Sequence, residues 1–237
     1  MSGALDLIIR NAKVAGREPD RGTVDIGVRD GVIVAIEPAL AASGPEHDAR
    51  GNLVSSGLVE SHFHLDKAMT VDRVPYEPNR MARNHMERTA SVKHTFTAED
   101  TYARARATIE RCLVHGVTHM RTQVEVDPNV GLMGFDAIEQ LRKDYAWAID
   151  IQPCVFLQEG WTGVPGADGN LVDCLERGAP AIGGGIRYDK DGPGQIRRVF
   201  ELAREYDIDV DFHLDGGHDV KELDYPQVCE ITERIGW

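Results

Sequence analysis

Three histidines occupy positions from which they could bind one metal ion. His62 and His64 flank Phe63 at the end of an apolar run, and residues two apart on a strand point to the same face. Two imidazoles in this arrangement can bind one divalent ion at about 2.0–2.1 Å each. His213 closes a later apolar run and would supply the third ligand of a catalytic site with an open coordination position. The alternative is that all three are strand-end side chains hydrogen-bonded to loops.

Other polar residues also follow apolar runs. Gln158 stands after such a run, and a neutral amide there can both donate to and accept from the N–C=O edge of a heterocycle. Arg187 ends a further run and is a second candidate for binding a substrate. Asp66 shares the strand phase of His62 and His64, so it could orient a ligand or equally cap a loop.

The elements that would position these residues change in character near residue 52. Residues 1–52 are predicted to form short strands, with Asp30-Gly31 as a hairpin turn because both residues tolerate positive φ. From residue 53 a strand, a loop and a helix repeat about five times, which predicts parallel βα units buried on both faces. The predicted strands are Leu53–Ser61, Val117–Val126, Ile149–Leu157, Ala179–Ile186 and Ile208–Leu214.

Five βα units fit either an open doubly wound sheet or part of a (β/α)₈ barrel. No G-x-G-x-x-G motif follows a strand, and Gly183-Gly184-Gly185 is only a weak phosphate-binding signal. The polar residues gather where strands end, as they do in a barrel. We therefore expect an α/β fold. It would be an incomplete TIM-type (β/α)₈ barrel over residues 53–237, preceded at 1–52 by part of a small β-sandwich domain.

Composition narrows the classes of partner. The chain has 39 acidic and 26 basic residues, a formal charge of −13, which disfavours binding to nucleic acid or to anionic lipid. No apolar stretch approaches the roughly 18 residues of a membrane span, and Met1–Arg10 lacks the pattern of a signal peptide. The four cysteines have no C-x-x-C spacing and read as reduced thiols. We expect a cytoplasmic protein.

Four segments, GLVESHFHLDK, GVTHMRTQVEV, IDIQPCVFLQEG and IDVDFHLD, resemble the amidohydrolase superfamily. Within it they are similar to the cytosine deaminase-like group, which includes N-isopropylammelide hydrolases. The resemblance implies that His62, His64 and His213 bind one Zn²⁺ or Fe²⁺ and that Gln158 holds the substrate. It also implies an enzyme that hydrolyses a non-peptide C–N bond in a small cyclic amidine, amide or aminated heterocycle, by attack of metal-bound hydroxide.

The sequence departs from that group in two respects. Cytosine deaminases have a proton-shuttling Glu three residues after the third His, whereas this chain has Gly216; Asp215 or His218 could replace it as the catalytic acid–base group. This departure favours release of an amine or amide over deamination of cytosine. The group's later His and Asp, and its closing strands, find no counterpart before Trp237. We therefore expect a homo-oligomer or a complementing C-terminal segment. The alternative is an inactive truncated fragment that only binds a metal or a partner chain.

Overall fold

The computed structural model describes residues 4–16, 22–74, 76, 85–215 and 223–237. The chain divides into two compact units, Met1–Gly57 and Leu58–Trp237. The predicted strand at Leu53–Ser61 is two strands in the structure, one in each unit. The division therefore falls between them, a few residues after the boundary that we predicted at 52/53.

The N-terminal unit is a small, mainly antiparallel sheet. Its first three strands form a meander in which the second is central to the pairing, and the last two run parallel to the first. Asp30 and Gly31 have φ values of 52° and 73° and form the predicted hairpin turn. The strands are β1 Leu7–Val14, β2 Val24–Arg29, β3 Val32–Glu37, β4 Glu46–Asp48 and β5 Leu53–Val54.

The second unit contains a parallel sheet in the order β10-β9-β8-β7-β6. Its strands are β6 Leu58–Phe63, β7 Val117–Glu125, β8 Asp150–Phe156, β9 Ala181–Ile182 and β10 Asp209–Val210. Its helices are α1 His85–Ala90, α2 Ala98–Val114, α3 Met133–Asp144, α4 Ala167–Glu176, α5 Gly192–Tyr206 and α6 Tyr225–Ile235. Within the described residues no helix is both long enough and apolar enough to span a bilayer.

The parallel sheet is curled. The Arg121 guanidinium on β7 lies 2.8 Å from the carboxylate of Asp209 on β10, although β8 and β9 separate the two strands. Such contacts across the concave face are possible only when the sheet bends toward closure. The five-stranded half-barrel and the separate small sheet confirm the predicted fold class.

The core of the second unit lies between the sheet and its helices. Ile109 of α2, Ile138 of α3 and Leu171 of α4 are fully buried, in one cluster with Ile151 and Val155 of β8. The start of α2 follows local chemistry: Thr97 caps the helix by accepting the backbone N–H of Asp100 at 3.2 Å. The apolar surface buried between the helices and the sheet therefore stabilises the position of the strands.

Arg104 of α2 fastens the segment that follows His64 to the body of the unit. The residue is only 7% exposed, and its guanidinium donates to the carbonyl oxygens of Asp66 at 3.2 Å and Ala68 at 2.6 Å. It also pairs with Asp100 at 2.9 Å and lies 4.7 Å from the ring centroid of Phe96. A single buried cation thus satisfies two backbone carbonyl oxygens and one carboxylate.

We expect Arg104→Met to lower the free energy of unfolding by about 2–3 kcal/mol, because it leaves buried carbonyl oxygens without a donor. Arg106 on the same helix is the matched control, since its side chain is 55% exposed and pairs with Glu110 across one turn. Arg106→Met should cost about 0.5 kcal/mol or less. Urea unfolding of both variants measures the difference, and equal losses would show that the buried contacts of Arg104 add nothing.

Candidate metal centre

The structure brings the three predicted histidines together. His62 lies near the end of β6, His64 directly follows that strand, and His213 lies three residues beyond β10. The centroids of their rings are 4.8 to 5.3 Å apart, and one nitrogen of each lies within 4.8 Å of the others. Residues from opposite edges of the sheet therefore form one cluster.

This cluster fits a divalent ion. The Nε2 atoms of His64 and His213 are 3.1 Å apart, close to the roughly 3.4 Å that two 2.0–2.1 Å bonds to a tetrahedral ion imply. The Nδ1 atoms of both rings are buried and have no hydrogen-bond partner among the described residues. The arrangement thus leaves polar atoms that a ligand or water has to satisfy.

The electrostatic surroundings keep two of the imidazoles neutral, which is the form that binds metals. Burial lowers the pKa of His64 to about 2, and the positive charges of Lys67 and the neighbouring histidines act in the same direction. Burial also lowers the pKa of His213 to about 4, assisted by His62 and Lys67. At neutral pH no proton has to leave either ring before an ion binds.

Asp66 performs the role of a loop anchor. Its Oδ2 accepts the backbone N–H of Glu125 at 3.0 Å, while its Oδ1 lies 3.9 Å from Nδ1 of His64. The second distance is too long for a hydrogen bond. Of the two roles left open by the sequence, these distances support the anchoring of the loop.

Glycine determines how close the segment carrying His213 can approach β9. A Cβ atom on Gly183 would lie only 2.0 Å from the carbonyl oxygen of Asp211. The close approach allows the backbone N–H of His213 to donate to Gly184 O at 2.9 Å. The Gly183-Gly184-Gly185 segment therefore permits a close approach of two backbone segments beside the histidines. It lies at the end of β9 and, among the described residues, forms no phosphate-binding loop.

A cavity of about 620 Å³ opens beside the three histidines, a volume in the usual range for small-molecule sites. Its walls mix these imidazoles with a few polar and apolar side chains. The lining residues are His62, His64, Lys67, Thr89, Gln158, Gly185, Arg187, Tyr188, Phe212, His213 and Leu214. Both residues that the sequence suggested for substrate binding, Gln158 and Arg187, line it.

Gln158 is held by a cation. Its Oε1 accepts from Nζ of Lys67 at 3.1 Å, and the residue is only 4% exposed. Lys67 also lies 2.7 Å from a carboxylate oxygen of Glu125 and 5.1 Å from the ring centroid of Phe156. Because an ammonium group only donates, this contact fixes which end of the Gln158 amide faces Lys67.

Asp215, the predicted acid–base residue, lies outside the helices and strands, and its carboxylate contacts the N-terminal end of α6. Its Oδ1 accepts the backbone N–H groups of Asp224 at 2.7 Å and Tyr225 at 3.2 Å. It does not line the cavity described above. His218 and Gly216 lie outside the described residues.

A network of charges that the sequence did not predict lies behind Gln158. Nζ of Lys93 lies 2.5 Å from Glu125 and 2.8 Å from Glu159, and Glu125 also contacts Lys67. Burial acts to lower the pKa of Lys93, but the two carboxylates outweigh it and hold that pKa above its usual value. The HLDK motif could have pointed to Lys67, whereas nothing local marks Lys93, which follows an apolar residue in a loop.

We expect Gly183→Ala to weaken binding of Zn²⁺ by at least the roughly 10–100-fold that follows from disturbing residues around metal ligands. The added methyl group must displace the backbone that carries His213. Gly169→Ala on α4 is the matched control, because a Cβ atom there meets nothing within 4 Å. Calorimetric titration with Zn²⁺ checks both variants, and an unchanged affinity of the Gly183 variant would refute this account of how His213 is positioned.

Comparison with known proteins identifies relatives of the whole chain. No protein-family model matches it. N-isopropylammelide isopropyl amidohydrolase of Pseudomonas sp. (strain ADP) is 30% identical over 242 residues, which cover 99% of this chain and 58% of that protein. The chain thus spans little more than half the length of this curated relative.

Solved structures agree with the sequence comparison. The crystal structure of 5-methylcytosine deaminase from Klebsiella pneumoniae, liganded with 5-fluorocytosine, matches with a TM-score of 0.85 and 29% identity over 97% of this chain and 56% of the other. N-isopropylammelide isopropylaminohydrolase from Burkholderia multivorans matches with a TM-score of 0.78 and 26% identity, over 97% and 58% of the two chains. The resemblance inferred from the motifs is confirmed: the homologues and structural neighbours are amidohydrolase superfamily members, and this chain corresponds to their N-terminal part.

Proposed function

We propose that this chain carries the metal-binding part of an enzyme that hydrolyses a non-peptide C–N bond in a small cyclic amidine, amide or aminated heterocycle. The observation that carries the proposal is the juxtaposition of three imidazoles with Gln158 in one cavity. Its volume suits a single heterocycle. The relatives named above, an ammelide hydrolase and a cytosine-type deaminase, support the same class of reaction.

His62, His64 and His213 would hold one divalent ion, Zn²⁺ or Fe²⁺, because both accept neutral imidazole ligands. When bound, such an ion supplies Lewis acidity and makes water a nucleophile near neutral pH. The chain's own contribution is to keep the rings of His64 and His213 uncharged and to orient them against Phe156, whose ring stacks on His213 at a centroid distance of 4.7 Å.

Gln158 would orient the heterocycle. Since Lys67 occupies its carbonyl oxygen, the amide offers its NH₂ group to an acceptor on the ligand. Arg187, on the turn Ile186–Tyr188, also lines the cavity and would donate to the ring as well. Two donors of this kind match a ring that carries carbonyl or imine acceptors.

Proton transfer to the departing nitrogen needs an acid–base group. We retain Asp215 as the proposed group, acting through the carboxylate oxygen that does not cap α6. Asp215 directly follows Leu214, a residue that lines the cavity. The proposal covers both release of ammonia and release of an amine, since each step transfers a proton to nitrogen.

The metal-loaded chain alone is expected to show little or no turnover. Once a second copy or a complementing C-terminal segment covers the sheet, the preparation should release ammonia or amine from at least one member of a panel of aminopyrimidines, aminotriazines and cyclic ureas. His213→Ala should remove the third metal ligand and lower both bound metal and turnover by on the order of 10²-fold or more. His119→Ala is the control, because that imidazole contacts Thr118 and lies outside the metal cluster. Metal binding without turnover of any compound would instead favour the alternative, a chain that only binds a metal or a partner chain.

We also propose that the open edges of the parallel sheet are covered in the working protein, by a second copy of the chain or by a complementing C-terminal segment. Among the described residues, β6 and β10 each pair on one side only, and Leu58 and Val59 on β6 are 57% and 69% exposed. Exposed apolar edge strands favour pairing with another strand. Cytoplasmic localisation belongs to the same proposal and is supported by four free cysteines.

The mass of the purified chain in solution tests this part. We expect a dimer or larger species, whose dissociation follows Val59→Lys, because a charged residue on an edge strand opposes strand pairing. Val114→Lys is the control, since Val114 is also exposed, at 80%, but ends a helix. A monodisperse monomer with intact activity would contradict the need for a cover.

A further inference from the structure

The hydrogen-bond ladder between the parallel strands β7 and β8 ends shortly before Gln158, which lines the cavity. Its last bond joins the N–H of Val126 to Phe156 O at 3.0 Å. Beyond that point the carboxylate of Asp127 takes the place of backbone carbonyl oxygens as the acceptor. It accepts the backbone N–H of Gln158 at 2.7 Å and of Glu159 at 3.0 Å. Each carboxylate oxygen takes one of the two bonds.

Asp127 is itself firmly placed. It is 2% exposed, and its own carbonyl oxygen accepts from the N–H groups of Val130 at 3.0 Å and Gly131 at 2.8 Å in the turn that precedes α3. Its carboxylate is therefore a fixed acceptor, and the position of the Gln158 backbone depends on it. A buried carboxylate bound to two N–H groups forms strong, charge-assisted hydrogen bonds.

We propose that Asp127 is a positioning residue, whose carboxylate holds the Gln158 backbone so that the Gln158 amide faces the cavity beside the histidines. The consequence for ligand affinity rests on the proposed function, in which Gln158 binds the heterocycle. The geometric part of the proposal, that Asp127 fixes the Gln158 backbone, does not depend on the proposed function.

A network of four charged groups lies next to Asp127 in the structure. Glu125 ends β7 two residues before Asp127, and Glu159 is in the loop that Asp127 holds. Lys93 contacts both glutamates from the turn Lys93–Thr95, and Lys67 contacts Glu125 from the turn Leu65–Lys67. Burial, with the negative charge of Glu125 added, raises the pKa of Asp127 to about 7, although the N–H groups of Gln158 and Glu159 oppose the rise.

The hold on Gln158 therefore weakens as pH falls through about 7. Above this pH both oxygens of the ionised group accept a hydrogen bond, whereas the protonated carboxyl has one O–H that repels an N–H donor. Neutral solution thus lies at the midpoint of this change.

The first test observes Gln158 directly by NMR of the ¹⁵N-labelled chain between about pH 5.5 and 8.5. In the unsubstituted protein the backbone amides of Gln158 and Glu159, and the side-chain NH₂ of Gln158, should shift with a midpoint near 7. Asp127→Asn should remove that component. Resonances of Gln158 that stay at the same positions in Asp127→Asn would overturn the proposal.

Asp189→Asn is the matched control, because Asp189 also accepts two backbone N–H groups of the loop after β8, those of Trp161 at 2.5 Å and Thr162 at 3.1 Å. Loss of these two hydrogen bonds should destabilise the protein comparably but leave the midpoint of the Gln158 chemical-shift titration near pH 7. If Asp189→Asn removes the midpoint as well, the effect is a general loosening and the specific role of Asp127 fails.

The second test measures affinity for cytosine, used as a probe, by calorimetry at about pH 8 with Zn²⁺ present. Asp127→Asn and Gln158→Ala should each weaken binding by about tenfold, because both lose one buried hydrogen bond to the ligand. An Asp127 variant that binds as tightly as the unsubstituted protein, beside a weakened Gln158→Ala, contradicts the proposal. If neither cytosine nor any other member of the heterocycle panel binds the unsubstituted protein, the proposed function fails and the NMR test still decides the role of Asp127.

Discussion

The curvature of the parallel sheet is the constraint on which the site depends. In a flat sheet, strands β6 and β10 would be about 19 Å apart, four spacings of about 4.8 Å each. The histidines that follow them are nevertheless in contact, with Nε2 of His64 and His213 separated by 3.1 Å. Bending of the sheet therefore creates the cluster, and the contact of Arg121 with Asp209 across its concave face supports the same bend.

Much of the cavity wall is held by buried charge. Lys67, Glu125 and Lys93 form a chain of ion pairs in which Glu125 is 3% exposed, so the cost of removing these groups from water has to be offset by their mutual attraction. Burial acts to raise the pKa of Glu125, yet the two ammonium groups outweigh it and lower that pKa. The network ends at Gln158 and Glu159, so its effect is to fix polar groups at the edge of the cavity more than to add stability.

Sequence reasoning works where a local pattern determines the structure. The i, i+2 spacing places His62 and His64 on one side of a strand, the Asp30-Gly31 pair specifies its turn, and the alternation of strands and helices predicts the parallel sheet. It fails where partners are distant in sequence. Lys93 and Glu125 are 32 residues apart, and Asp127 acts on Gln158 from 31 residues away. The split of Leu53–Ser61 into two strands likewise follows from pairing with β1 and β7, which composition does not reveal.

The separation of His64 and His213 along the chain has a consequence for folding. The two residues are 149 positions apart, so an ion bound by both would close a loop that includes nearly the entire curled sheet. A covalent cross-link over a loop of similar size removes entropy from the unfolded chain worth about 4–5 kcal/mol. A bound ion would then cross-link the two edges of the sheet reversibly, and the free energy of unfolding of this unit would rise with the concentration of free metal.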